Sequence, residues 1–97
     1  MANFSYKPFK LGIVVTTKSV QARVATDPVL GADISNRLDH HRAGQYGDVS
    51  PVDKMQNDEA THTGSEILSV YKCRSVVYWI KTDAGHGATT IMLPSDM

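Results

Sequence analysis

An imidazole on an otherwise apolar helix face is the group in this 97-residue chain best placed to move a proton. At helical spacing Leu30, Ile34, Leu38 and His41 share one side, so the His41 ring is expected to face a core. Histidine titrates near neutrality, and a partly apolar setting with one polar partner poises it as a general acid or base. Asn57 and Tyr71 offer hydrogen-bond donors to such a site, and Ser69, Thr89 and Thr90 add hydroxyls from strand-forming runs. The candidate catalytic set is therefore His41, Asn57, Tyr71 and Thr90. The blander role for such a histidine is structural, donating to a backbone carbonyl in the core.

Other chemistries lack the spacing they need. His40 and His41 are helix neighbours that point about 100° apart, and no histidine follows four residues on. With Cys73 the only cysteine, no zinc set can form, and nothing local brings Asp39, His40 and His62 together. No metal site is expected, and His40 and His62 are expected at the surface. Ser69 lacks the glycines of a nucleophile elbow, and Cys73 sits in or beside a hairpin turn without a characteristic flanking motif. Gly85-His86-Gly87 lies between strand-forming runs, where glycine serves turn geometry and cradles no phosphate. No cofactor is expected.

The elements that must carry these groups follow from local pattern. Residues 11–16 form a short β-branched run, expected as a strand buried on both faces or nearly so. Thr17 can cap a short helix bearing Val20 and Val24. Asp27-Pro28 then starts the His41 helix, which Gly44 stops. Ser50-Pro51-Val52-Asp53 repeats that grammar, predicting a third helix to about residue 63. Its narrow apolar stripe is read as Val52, Met55 and Ala60, with the rest solvated. Residues 67–72, 76–81 and 88–93 are β-rich and joined by short connections, so they form an antiparallel meander. Val76-Val77-Tyr78-Trp79-Ile80 does not alternate, as expected of a central strand covered on both faces. Helices cover one face of a small sheet easily, so either the first strand and N-terminal arm wrap the other or a second subunit does, as in a homodimer.

Composition excludes little. The formal charge is zero, yet residues 1–46 carry +3, residues 47–70 carry −4 and residues 71–97 carry +1. Asp48, Asp53, Asp58, Glu59 and Glu66 make the middle block acidic, a solvated helix face or a surface for a basic partner. That block would repel phosphates, and Tyr78 and Trp79 read as core, so nucleic acid is not the expected partner. A lone cysteine, no apolar leader at Met1-Ala2-Asn3-Phe4-Ser5 and no span-length apolar run lead to a cytoplasmic expectation with no membrane contact.

Several of these segments together resemble a family of small uncharacterised bacterial proteins carried on plasmids, integron gene cassettes and phages. The resemblance rests on His41-Arg42-Ala43-Gly44-Gln45-Tyr46-Gly47, Asn57, Ser69-Val70-Tyr71, Trp79-Ile80-Lys81-Thr82-Asp83-Ala84 and Thr89-Thr90-Ile91-Met92-Leu93-Pro94, spanning about residues 11–94. Gln45 and Tyr46 depart from the family's Asp and Trp, and His86 has no counterpart there. The resemblance implies no activity.

The expected fold is α+β in one domain: a strand, three helices and a three-stranded antiparallel meander, with the helices on one face of a small sheet. The expected function is that of a mobile-element accessory protein that binds another macromolecule, a protein before others, as a homodimer or a monomer. The alternative is a small metal-independent nuclease or toxin-like enzyme using His41, similar in layout to known ribonucleases.

Overall fold

A computed structural model describes residues 6–97, and the leader reading at residues 1–5 lies outside them. The fold is α+β. Strand β1 (Ile13–Thr16) leads into α1 (Lys18–Thr26), α2 (Pro28–Arg42) and α3 (Pro51–Thr63). Strands β2 (Ile67–Cys73), β3 (Val76–Thr82) and β4 (Ala88–Met92) follow, with a short 3₁₀ turn at Pro94–Asp96. Each helix starts at the expected cap: Thr17, Asp27 and Ser50 side chains accept from the N–H groups of Val20, Leu30 and Asp53.

The sheet has four strands in the order β1-β4-β3-β2. The meander is antiparallel as expected, but β1 joins it as a fourth strand, parallel to β4. A parallel neighbour needs a long crossover, and here all three helices lie in the connection that returns to the sheet. Local pattern carries no signal for so distant a pairing.

One face of the sheet carries Ile67, Ser69, Tyr71, Tyr78, Ile80, Thr82, Thr89 and Ile91, all buried. Val20 of α1 with Leu30 and Ile34 of α2 pack on it to form the main core. A smaller cluster of Phe9, Tyr46, Ala60 and Ile67 lies towards α3. Burying one large aliphatic side chain contributes about 2 kcal/mol, so these clusters hold the layers together.

Three burial expectations fail. β1 is not buried on two faces: Ile13, Val14 and Val15 are 70%, 42% and 45% exposed, because the strand is the sheet's outer edge. β3 is central yet alternates, with Tyr78, Ile80 and Thr82 buried, Trp79 and Lys81 half-buried and Val77 exposed. The buried residues of α1, α2 and α3 pack on the other face, and Trp79 is not a core residue. In α3 Val52 and Met55 are exposed, while Asn57, Asp58, Ala60 and Thr61 face inward. That helix docks through polar side chains with specific partners, which a search for an apolar stripe cannot see. Asp58 is accordingly not part of a solvated acidic face.

Candidate functional site

His41 has no exposed surface. Helix α2 delivers it to the sheet in the last turn before Gly44, where the chain leaves the helix with φ +78°. Its Nδ1 lies 2.5 Å from Ser69 Oγ on β2 and its Nε2 lies 2.8 Å from Thr82 Oγ1 on β3. Thr82 Oγ1 is 2.8 Å from Thr89 Oγ1 on β4, and Thr89 donates to the Leu11 carbonyl at 2.7 Å. The Phe9 ring meets the imidazole edge-on at a centroid distance of 5.5 Å.

Proton positions along this chain of groups follow from its end. A carbonyl only accepts, so the single Thr89 proton points at Leu11. Thr89 must then accept from Thr82, and Thr82 from His41 Nε2. The imidazole therefore carries its proton on Nε2, and Nδ1 accepts from Ser69. Every member is satisfied in one direction, running from β2 through α2 to β3, β4 and the residue two before β1. Burial holds the His41 pKa down at about 4, and the nearby His86 pushes the same way. A neutral ring is what this network requires.

The four residues of the candidate catalytic set do not meet in an open cleft. Asn57 lies along the outer edge of β2, where its amide donates to the Leu68 carbonyl at 2.9 Å and accepts from the Leu68 N–H at 3.2 Å. That is the pairing another strand would make, performed by a side chain. Tyr71 is buried on the His41 side, but its hydroxyl donates to the Gln45 carbonyl at 2.5 Å. Burial pushes its phenol up to about 12, with the Arg37 guanidinium acting against that rise. Thr90 is half-buried and pairs with Lys81, which places it on the opposite sheet face from Thr82 and Thr89.

The residues that complete the His41 network are Ser69, Thr82 and Thr89. Strand parity carried the signal for choosing Thr89 over Thr90, since Thr89 shares a face with buried Ile91. His40 is half-buried rather than exposed, and its Nδ1 is buried without a hydrogen-bond partner among the described residues. His62 is exposed. His86 sits in the β3–β4 turn with φ +55° and donates from Nε2 to the Ser65 carbonyl at 2.9 Å, its ring against Phe9. Cys73 ends β2 as a buried thiol. Among the described residues no three His, Cys, Asp or Glu side chains are grouped to hold a metal ion. No helix among them is long and apolar enough to cross a membrane.

The β2 edge is covered at Val70 as well, while the outward groups of Lys72 have no partner among the described residues. The Val70 N–H donates to the Tyr46 carbonyl at 2.9 Å, and the Val70 carbonyl accepts from Asp48 N–H at 2.8 Å. Gly47 makes this approach possible: its φ is +74°, and a Cβ there would run into the Val70 carbonyl and the Tyr71 ring. Tyr46 is pinned through its hydroxyl to Asp58 at 2.8 Å, and Lys54 bonds the other Asp58 oxygen at 2.8 Å. Burial and that carboxylate raise the Tyr46 phenol well above its usual range.

The β1 edge has no such cover. Ile13 N–H donates to Gly87 O and Thr17 N–H to Ile91 O, so odd-numbered residues turn their backbone groups to β4. Val14 and Thr16 turn theirs outward. The Gln21 amide takes the Thr16 carbonyl at 3.3 Å, and the Val14 N–H and C=O have no partner among the described residues. No family model, curated protein or solved structure matches this chain.

Proposed function

We propose that this chain is a small protein-binding accessory protein of mobile elements, working in the cytoplasm as a homodimer joined through β1. The mobile-element part rests on the family resemblance of the His41-to-Pro94 pattern, and the cytoplasmic part on a single, buried thiol. The observation that carries the binding part is the bare β1 edge with three exposed β-branched side chains. Edge strands of this kind are ordinarily guarded by lysine, proline or a bulge, and Ile13–Thr16 has none of these.

A second copy fits that edge by symmetry. Antiparallel pairing about Val14 sets Val14 against its own copy and exchanges two backbone hydrogen bonds. Ile13 then faces Val15 of the other copy on the uncovered side of the sheet, a pair of β-branched residues. The result is an eight-stranded sheet with a β2 edge, covered at Leu68 and Val70, at each end.

Burial of His41 weighs against the nuclease alternative. A general base must reach the proton it takes, and this imidazole has no exposed surface and two occupied nitrogens. Ribonuclease assays of the wild type are expected to show no cleavage.

Gel filtration with light scattering tests the dimer. The wild type is expected at twice the chain mass and Val14→Pro at the chain mass with an unchanged circular dichroism spectrum. Proline removes an N–H that faces outward and leaves the β4 ladder intact. A wild type that stays monomeric at several hundred micromolar overturns the pairing.

A further inference from the structure

Outside the His41 network, Arg37 is the cation whose surroundings ask for a ligand. Its guanidinium carbon lies 5.2 Å from the centre of the Tyr71 ring, which holds the planar group in place. The nearest carboxylate oxygen, Asp33 Oδ1, is 3.8 Å away, beyond hydrogen-bond reach. The other Asp33 oxygen is taken by the Tyr78 hydroxyl at 2.7 Å. A preset fork of five N–H donors is therefore left without a hydrogen-bond acceptor among the described residues.

Two cavities meet at Arg37 and Gly47. The larger, about 510 Å³, runs between α2 and α3 past Tyr46, Val49 and Pro51 to Lys54. The smaller, about 250 Å³, continues along β2 past Asp48 to Lys72. The larger has the volume of a small-molecule site. Its charge sets the ligand's valence. Lys54 is already neutralised by Asp58 at 2.8 Å, and in the smaller cavity the charges of Asp48 and Lys72 offset each other. A guanidinium whose ion pair to Asp33 is long and whose N–H fork is open, beside apolar Val49 and Pro51, suits a single negative charge on an apolar body.

We propose that this groove binds a small organic monocarboxylate, with Arg37 forking its carboxylate and the Val49–Pro51 wall taking its apolar part. A bidentate guanidinium–carboxylate pair supplies both strength and orientation. The site lies on the far side of α2's last turns from β1 and is independent of the dimer.

The test is an amide NMR titration of the full chain at physiological salt, with phenylacetate as the probe and inorganic phosphate and 2-phenylethanol as the other arms. Phenylacetate is expected to shift Gly44, Gly47 and Val49 amides saturably, with a Kd of about 1 mM or tighter for a ligand of this size. Arg37→Gln is expected to weaken it at least tenfold. Pro51→Glu, an exposed change at a first helical position that tolerates acid, is expected to weaken it severalfold while the fold is kept. No saturable shift with phenylacetate, equal binding by 2-phenylethanol, equal binding by phosphate, or equal binding by Arg37→Gln each overturns the proposal.

Discussion

Along β2 the outward backbone groups of Leu68 and Val70 are all paired, by the Asn57 amide and by the Tyr46 and Asp48 main chain. Along β1 the outward groups of Val14 are bare, and the side chains around them are apolar and exposed. The two edges belong to one four-stranded sheet and differ in what the rest of the chain has been folded to cover. Sealing β2 uses a positive-φ glycine, a buried tyrosine–aspartate pair and a helix whose inner face is polar. Among the described residues β1 has only the Gln21 amide on the Thr16 carbonyl, although the His41 network reaches its approach at Leu11. The proposed docking through β1 rests on this contrast between the two edges.

The largest expected effect comes from the network behind β1. The unfolded chain protonates His41 near pH 6.5 and the folded one only near 4. Its contribution is full above 6.5, falls as the pH drops through the interval in which only the unfolded state gains a proton, and levels off below about 4. Over that interval stability is expected to fall by about 3 kcal/mol, read from urea midpoints, and His41→Leu is expected to lack that part of the slope. Protonation forbids Nδ1 from accepting the Ser69 proton, so acid loosens the sheet's attachment to α2.

Next in size is the seal on β2. Asn57→Ala strips both hydrogen bonds from Leu68 and is expected to cost about 2 kcal/mol in chemical denaturation. It also makes the two edges alike. Light scattering is expected to show species larger than a dimer, because β2 then offers its own bare groups; association unchanged from the wild type would mean the seal has no bearing on self-pairing.

A smaller pair of changes separates the two sheet faces. Thr89→Val leaves the Thr82 proton without an acceptor in a fully buried site, and about 1–2 kcal/mol of stability is expected to go with it. Thr90→Val, one residue on but facing the other side, is expected within about 0.5 kcal/mol of the wild type by the same measurement. Equal losses from the two would contradict the direction of the network.

What was legible in the sequence is what is local. Asp27-Pro28 and Ser50-Pro51 announced their helices because a cap and a preset φ act within one turn. The inward turn of His41 was visible from helical spacing with Leu30 and Ile34. The place of β1 beside β4 was not, because that pairing joins residues 75 apart with no periodicity linking them: Ile13 to Ala88, Val14 to Thr89. Val52 and Met55 misled for a related reason. Their spacing is right for a buried stripe, but α3 is held by Asn57, Asp58 and Thr61, which bond to Leu68, Tyr46 and the Lys7 N–H outside the helix. The site was half legible: His41 and Ser69 stood out, whereas the choice between Thr89 and Thr90 turns on a parity that only the sheet register settles.

Amide hydrogen exchange at Val14 and Val70, followed as the protein is concentrated, puts the two edges in one experiment. The Val70 N–H already donates to Tyr46 and is expected to be protected equally at every concentration. The Val14 N–H is expected to exchange freely in dilute solution and to become protected as copies pair through β1. A Val14 amide that stays unprotected at high concentration while light scattering reports a dimer would place the contact elsewhere and contradict the account.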